Sequence, residues 1–161
     1  MDTKIAPAGG KVTSSQIGWI TESVVGANLI ARTGGRIAPF TPAADDCGID
    51  LLALDKATGK SIALQVKAWT GSPSSDMTVQ FDTRVKTYND FSFLVAVYMP
   101  LPNLSIEYVW FSPMPVVKEL SSERAGKYIV RCSTRPKSRD AFSRFRMDID
   151  GLTAAVLTEL T

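Results

Sequence analysis

The chain has 161 residues, 45% hydrophobic and 21% charged, which suits one domain with its own core and excludes a disordered chain. Eighteen basic and sixteen acidic side chains leave a net charge of +2, too small in itself to argue for a polyanionic partner. There is no histidine, which excludes Ser-His-Asp and Cys-His catalysis, His-ligated zinc and imidazole general bases. Any chemistry must use carboxylates, amides, lysine, hydroxyls or a hard metal ion.

The charge is segregated. Residues 118–146 carry nine basic side chains against three acidic ones, a local +6 that leaves −4 elsewhere. Cys47 and Cys132 lie far apart without CxxC spacing, which fits free thiols in a reducing compartment better than a disulfide framework. The N-terminus lacks the apolar core of a signal peptide. The longest apolar run, Phe93 to Leu101, falls far short of the roughly 20 residues that span a bilayer. The chain reads as a single cytoplasmic domain over 1–161 with no membrane partner, and 1–12 as a flexible tail.

In chain order, Thr13, Ser14 and Ser15 offer N-caps. Ile17, Ile20, Val24, Ala27 and Ala31 recur at helical spacing until Gly34 and Gly35 supply a stop. A short strand, Arg36 to Phe40, leads into a loop holding Asp45 and Asp46, which read as a solvated turn. GIDLLALD and KSIALQVKAW flank the turn KATG and form a hairpin. Residues 76–90 are ambiguous between a short strand with a helical turn and one amphipathic helix; Lys86 and Tyr88 fall there, on an exposed face or near a ligand. FSFLVAVYM has the continuous apolar character of a strand buried on both faces, and IEYVWFS reads as its neighbour. A short helix MPVVKELSS, a strand GKYIVRCS, a basic segment 135–146 and a closing helix DIDGLTAAVLTEL complete an α/β (α+β) chain with a central sheet flanked by helices. Trp19, Trp69 and Trp110 are expected in the core or on sheet faces.

Strand pairing turns spacing into distance. If KATG is the turn, Asp55 faces Lys60 and Asp50 faces Gln65, while Lys67 falls on the same face as Gln65. Leu52 and Leu54 share the face of Asp50, and Ile62, Leu64, Val66 and Ala68 fill the opposite face of the second strand. A carboxylate and an ammonium in such strands must be paired or bound to an ion. A structural Asp50–Lys67 ion pair is the plain reading of these two residues. Glu22, the one charged residue of GWITESVVGANL, adds a second carboxylate immediately upstream.

Glu22 in the first helix, GIDLLALD with Asp50, and LQVKA with Gln65 and Lys67 resemble the motifs of the restriction-endonuclease-like PD-(D/E)xK nuclease superfamily. The QxK form is similar to that of Mrr-type restriction enzymes, and the helix Glu to that of archaeal Holliday-junction resolvases. The resemblance covers about residues 15 to 99. It implies a central mixed sheet, a helix, a three-stranded meander, a crossover helix and a further strand. It also implies a Mg²⁺ (or Mn²⁺) ion held by Glu22, Asp50 and Gln65, with Lys67 orienting the attacking water and offsetting charge on phosphorus. Ile49 stands where the motif has proline, and Gln65 stands where it has an acid. The second departure removes a negative charge from the ion site, so the alternative is a nuclease-fold module that binds DNA or a protein partner without cutting. A third reading is an unrelated α/β domain in which Asp50 and Lys67 are only structural.

The implied substrate is DNA, and the basic segment supplies the candidate phosphate contacts: Arg135, Lys137, Arg139, Arg144 and Arg146. Phe142 and Phe145, three residues apart, are expected to form a buried helical stripe that leaves Arg139, Arg144 and Arg146 outside. No GxGxxG or GxxxxGK[ST] pattern exists, so no nucleotide-driven motor is indicated. A nuclease of this size is expected to work as a homodimer or beside a partner protein.

Overall fold

The computed structural model describes residues 11–43, 48–71, 77–82, 91–135 and 137–161. Asp45, Asp46, Cys47, Lys86, Tyr88 and most of the expected tail lie outside them. Helix α1 runs Ser14–Arg32, opened by a Thr13/Gln16 capping box that satisfies backbone N–H groups at its first turn. It stops where Gly34 and Gly35 take φ of +58° and +78°, a left-handed conformation costly for any residue with a Cβ.

Strands β1 (Ile37–Phe40), β2 (Leu51–Asp55) and β3 (Ser61–Trp69) form an antiparallel meander. Strand β5 (Ser92–Tyr98) is parallel to β3, β6 (Tyr108–Pro113) antiparallel to β5, and β9 (Arg146–Met147) closes the far edge. The result is a six-stranded mixed sheet in the order β1-β2-β3-β5-β6-β9. Strands β4 (Met77–Asp82), β7 (Ser122–Arg124) and β8 (Lys127–Cys132) form a second, three-stranded sheet in the order β4-β8-β7.

Two cores follow from the alternation of β3 and β5. On one face Ile62, Leu64, Val66, Val95 and Val97 pack under Val25 and Leu29 of α1 and Leu152 and Val156 of α3 (Ile149–Glu159). On the other, Leu94, Ala96, Tyr98 and Trp110 pack against the second sheet and against Met114 and Val117 of α2 (Met114–Leu120). Every residue of β5 is buried, as its unbroken apolar run requires.

Of residues 76–90, those described form strand Met77–Asp82, one of the two readings the sequence left open: Met77 and Val79 are buried while Thr78 and Gln80 are exposed, a period of two rather than 3.6. The described part of the link from β3 to β5 is thus a strand of a second sheet; residues 72–76 and 83–90, the rest of the link for which the resemblance implied a crossover helix, lie outside the described residues. The buried stripe of α1 is Thr21, Val25, Gly26 and Leu29, turned from the expected one, because Gly26 lies against Pro39 of β1 and the Thr21 hydroxyl is satisfied at the Ile17 carbonyl, 2.8 Å away. Trp19 is 70% exposed, not core. Trp19→Ala is accordingly expected to leave the melting temperature within about 2 °C of the parent, measured by circular dichroism.

The basic segment is not a helix but a loop around Asp140, ending in a single 3₁₀ turn at Ser143–Phe145. Ser138 Oγ and Ser143 Oγ donate to Asp140 Oδ2 at 2.6 and 2.7 Å, and Phe142 N–H donates to Oδ1 at 2.9 Å. Burial raises the Asp140 carboxyl, but these donors and the Ser133 N–H outweigh it and hold it below its usual range. Phe142 is buried as expected, with Phe145 half-buried against it. Cys132 is a free thiol in the second core, where burial pushes its pKa up and makes it a poor nucleophile.

Candidate active site

The β2–β3 register is the one that the KATG turn dictates. Leu51 pairs with Leu64, Leu52 with Ala63, and Asp50 N–H donates to the Leu64 carbonyl at 2.9 Å. Asp50 therefore stands at the mouth of β2, beside the C-terminal half of β3. Its Oδ2 accepts three hydrogen bonds: from Gln65 Nε2 at 2.5 Å, from the Val66 backbone N–H at 2.7 Å, and from Lys67 Nζ at 3.4 Å. Among the described residues no donor reaches Oδ1.

An ionised carboxylate only accepts, so the amide edge of Gln65 turned to it is the NH₂ edge. Gln65 thus meets Asp50 through nitrogen. The Asp50 side chain is 9% exposed and that of Lys67 32%, so the pair sits at a boundary between the interior and solvent. Leu52, on the same strand face, is 36% exposed, because the second sheet covers β5 and β6 and stops short of β2. The expected greasy surroundings of Asp50 are therefore one-sided.

Glu22 reaches this region from another direction. It lies on α1, which packs on the Leu64 and Val66 face of β3, whereas Gln65 and Lys67 alternate to the opposite face. The two sides meet at a cavity of about 480 Å³ at the start of α1, lined by Glu22, Lys67, Ile17, Gly18 and Trp69 among others. Of the four expected site residues, hydrogen bonds unite Asp50, Gln65 and Lys67, and this shared cavity joins Glu22 to Lys67.

Among the described residues no three His, Cys, Asp or Glu side chains cluster closely enough to hold an ion by themselves. The oxygens that Glu22, Asp50 and Gln65 bring to this region are those of two carboxylates and one amide. That set fits Mg²⁺, which takes hard oxygen ligands and is held by one or two carboxylates plus substrate oxygens and waters.

The bacterial homing endonuclease I-Ssp6803I superposes on this chain with a TM-score of 0.59 at 18% identity, over 92% of this chain and 95% of that one. The two chains share a fold. The Holliday junction resolvase Hjc of Archaeoglobus fulgidus matches more weakly, with a TM-score of 0.44 at 11% identity, over 77% of this chain and 95% of that one. No family model and no curated protein matches the sequence. No described helix is long and apolar enough to cross a membrane.

The expected phosphate contacts divide. Arg135, Lys137, Arg139 and Arg144 are exposed, with the Arg144 guanidinium 4.8 Å from the centre of the Phe145 ring. Arg146 is half-buried: its Nη1 donates to the carbonyls of Ser133 and Arg135 at 3.2 and 2.7 Å, and its guanidinium lies over Tyr108. Its geometry is that of a tie between β9 and the end of β8. Sequence reasoning missed this because the tie spans main-chain atoms that no spacing rule reveals.

Proposed function

We propose that the chain is a Mg²⁺-dependent DNA endonuclease that hydrolyses phosphodiester bonds with Asp50, Gln65, Lys67 and Glu22. What supports this most is the arrangement at Asp50: one oxygen held by an amide, a backbone N–H and an ammonium, the other meeting no donor among the described residues, on a fold shared with a homing endonuclease.

Asp50 and Glu22 would hold the ion, with Gln65 beside them. Such an ion supplies Lewis-acid stabilisation of charge developing on the phosphoryl oxygens. Lys67 holds its partly exposed ammonium beside Asp50 and lines the cavity, where it would orient a water for attack and offset charge in the transition state. Hydrogen bonds from the Val66 N–H and Gln65 orient the Asp50 carboxylate, which would reduce the reorganisation needed when substrate arrives. The exposed cations Arg135, Lys137, Arg139 and Arg144 would meet the DNA backbone, and the domain would cut two strands as a homodimer or beside a partner protein.

The test is nicking of supercoiled plasmid. The parent chain is expected to convert it to open circles with Mg²⁺ or Mn²⁺, and to leave it intact in EDTA. A second reading, a nuclease-fold module that binds without cutting, is favoured by the Lys67–Asp50 ion pair, which already balances the charge of Asp50. It predicts salt-sensitive DNA binding with no nicking under any divalent ion.

A further inference from the structure

We propose that the outer face of the β4-β8-β7 sheet is a track for the phosphates of duplex DNA, contacted by Arg124, Lys127 and Arg131; this rests on the nuclease reading and extends its substrate surface. The inner face of this sheet is fixed by burial: Met77 and Val79 of β4 and Val130 and Cys132 of β8 pack in the second core. Alternation therefore turns Lys127, Ile129 and Arg131 outward, together with Thr78 and Gln80. Lys127, Arg131, Thr78 and Gln80 are all exposed.

Arg124 stands opposite Lys127 across the β7–β8 pair, so their Cα atoms lie about 5 Å apart. Arg131, four residues along β8 on the same face, is about 13 Å away, so the three cations form an extended row and not a single point of charge. No hydrogen bond or ion pair among the described residues holds any of these three cationic side chains. Asp82 takes the register position on the other side of Lys127, leaving a net charge of +2 over the four positions. Ile129 is the one large apolar side chain on the outward positions of β8, and none there is aromatic. A face without rings cannot stack unpaired bases, so it suits the backbone of a duplex and not a single strand. The sheet that carries the track is anchored beside the site: its strand β4, next to β8, packs against β3, which carries Gln65 and Lys67.

The experiment measures binding of the full chain to a fluorescein-labelled 20-base-pair duplex in EDTA, by anisotropy, at several NaCl concentrations. Each lost phosphate contact lowers the slope of log K against log salt by about 0.9. The triple variant Arg124→Ala, Lys127→Ala, Arg131→Ala is expected to bind roughly 10- to 100-fold more weakly, with a slope lower by about 2 to 3. Lys56→Ala, at the β2–β3 turn, removes one exposed cation elsewhere and is expected to change neither quantity. A triple variant with the parent's slope and affinity overturns the track, as does a loss larger for single-stranded DNA or for duplex RNA than for duplex DNA. Plasmid nicking is scored separately. A parent that shows the expected slopes but never nicks overturns the nuclease reading and leaves the track standing; a parent that does not bind the duplex overturns both.

Discussion

Asp50→Asn is expected to lower the rate of metal-dependent DNA cleavage by roughly 10³-fold, the scale of losing one charge-stabilising group at a reacting phosphate. Asparagine keeps an oxygen that the Val66 N–H can reach, so the strand start retains its backbone partner and the fold should survive. What it loses is the negative charge that an ion requires and that the Lys67 ammonium faces. Lys67→Ala is expected to cost roughly 10²-fold in kcat with little change in KM, because its ammonium acts on charge that appears only in the transition state. Single-turnover cleavage of a labelled duplex, with circular dichroism as a check on folding, measures both. Two folded variants that cut at the parental rate would show that the Asp50–Lys67 pair is structural only.

The second large effect concerns stability, at the opposite end of β2. Asp55 is fully buried and takes both nitrogens of a guanidinium fork: Arg36 Nε at 2.9 Å and Nη2 at 2.7 Å. It also accepts from Ala57 N–H at 2.9 Å and Thr58 Oγ1 at 3.0 Å, and Thr58 Oγ1 also lies 3.2 Å from the Leu160 carbonyl at the end of α3. One carboxylate thus ties the exit from α1, the hairpin turn and, through Thr58, the C-terminal helix. Asp55→Ala removes the acceptor of the partly exposed Arg36 guanidinium and of the Ala57 N–H, leaves the Thr58 hydroxyl only the Leu160 carbonyl, and is expected to lower the melting temperature by roughly 10 °C.

The same group sets a pH dependence. The Arg36 hydrogen bonds hold the Asp55 carboxyl far below the usual carboxylate range, against burial, which raises it. Its pKa is lower folded than unfolded. The stability it contributes is therefore complete above the unfolded value of about 3.9 and is lost as pH falls toward the folded value. Melting curves between pH 6 and pH 2 should show the parent losing more stability than Asp55→Asn. Parallel curves would contradict the assignment.

The hairpin that carries the candidate site was legible because its information is local. A four-residue turn sets the register, the register sets which residues face each other, and the observed pairing of Leu51 with Leu64 follows without reference to the rest of the chain. The apolar run of β5 and the glycine stop of α1 were legible for the same reason. The second sheet was not. Met77 of β4 pairs with Cys132 of β8, and such distant pairing leaves no periodic mark beyond a short alternation.

The face of α1 was misread because its buried side includes a threonine and a glycine, residues that hydropathy patterns treat as neutral. The close approach to Pro39 that makes Gly26 useful exists only in three dimensions. At the site, spacing brought Asp50, Gln65 and Lys67 to one face of the hairpin. It did not say which edge of the Gln65 amide would face the carboxylate, nor that Arg146 would turn back on the main chain.

The most direct measurement is a crystal of the full chain soaked in MnCl₂ and recorded at the manganese edge. One anomalous peak is expected at coordination distance, about 2.1 Å, from Asp50 Oδ1, on the side of the cavity lined by Glu22. Saturating manganese with no peak at Asp50, and with the Lys67 ammonium still seated on its carboxylate, would contradict the proposed ion site.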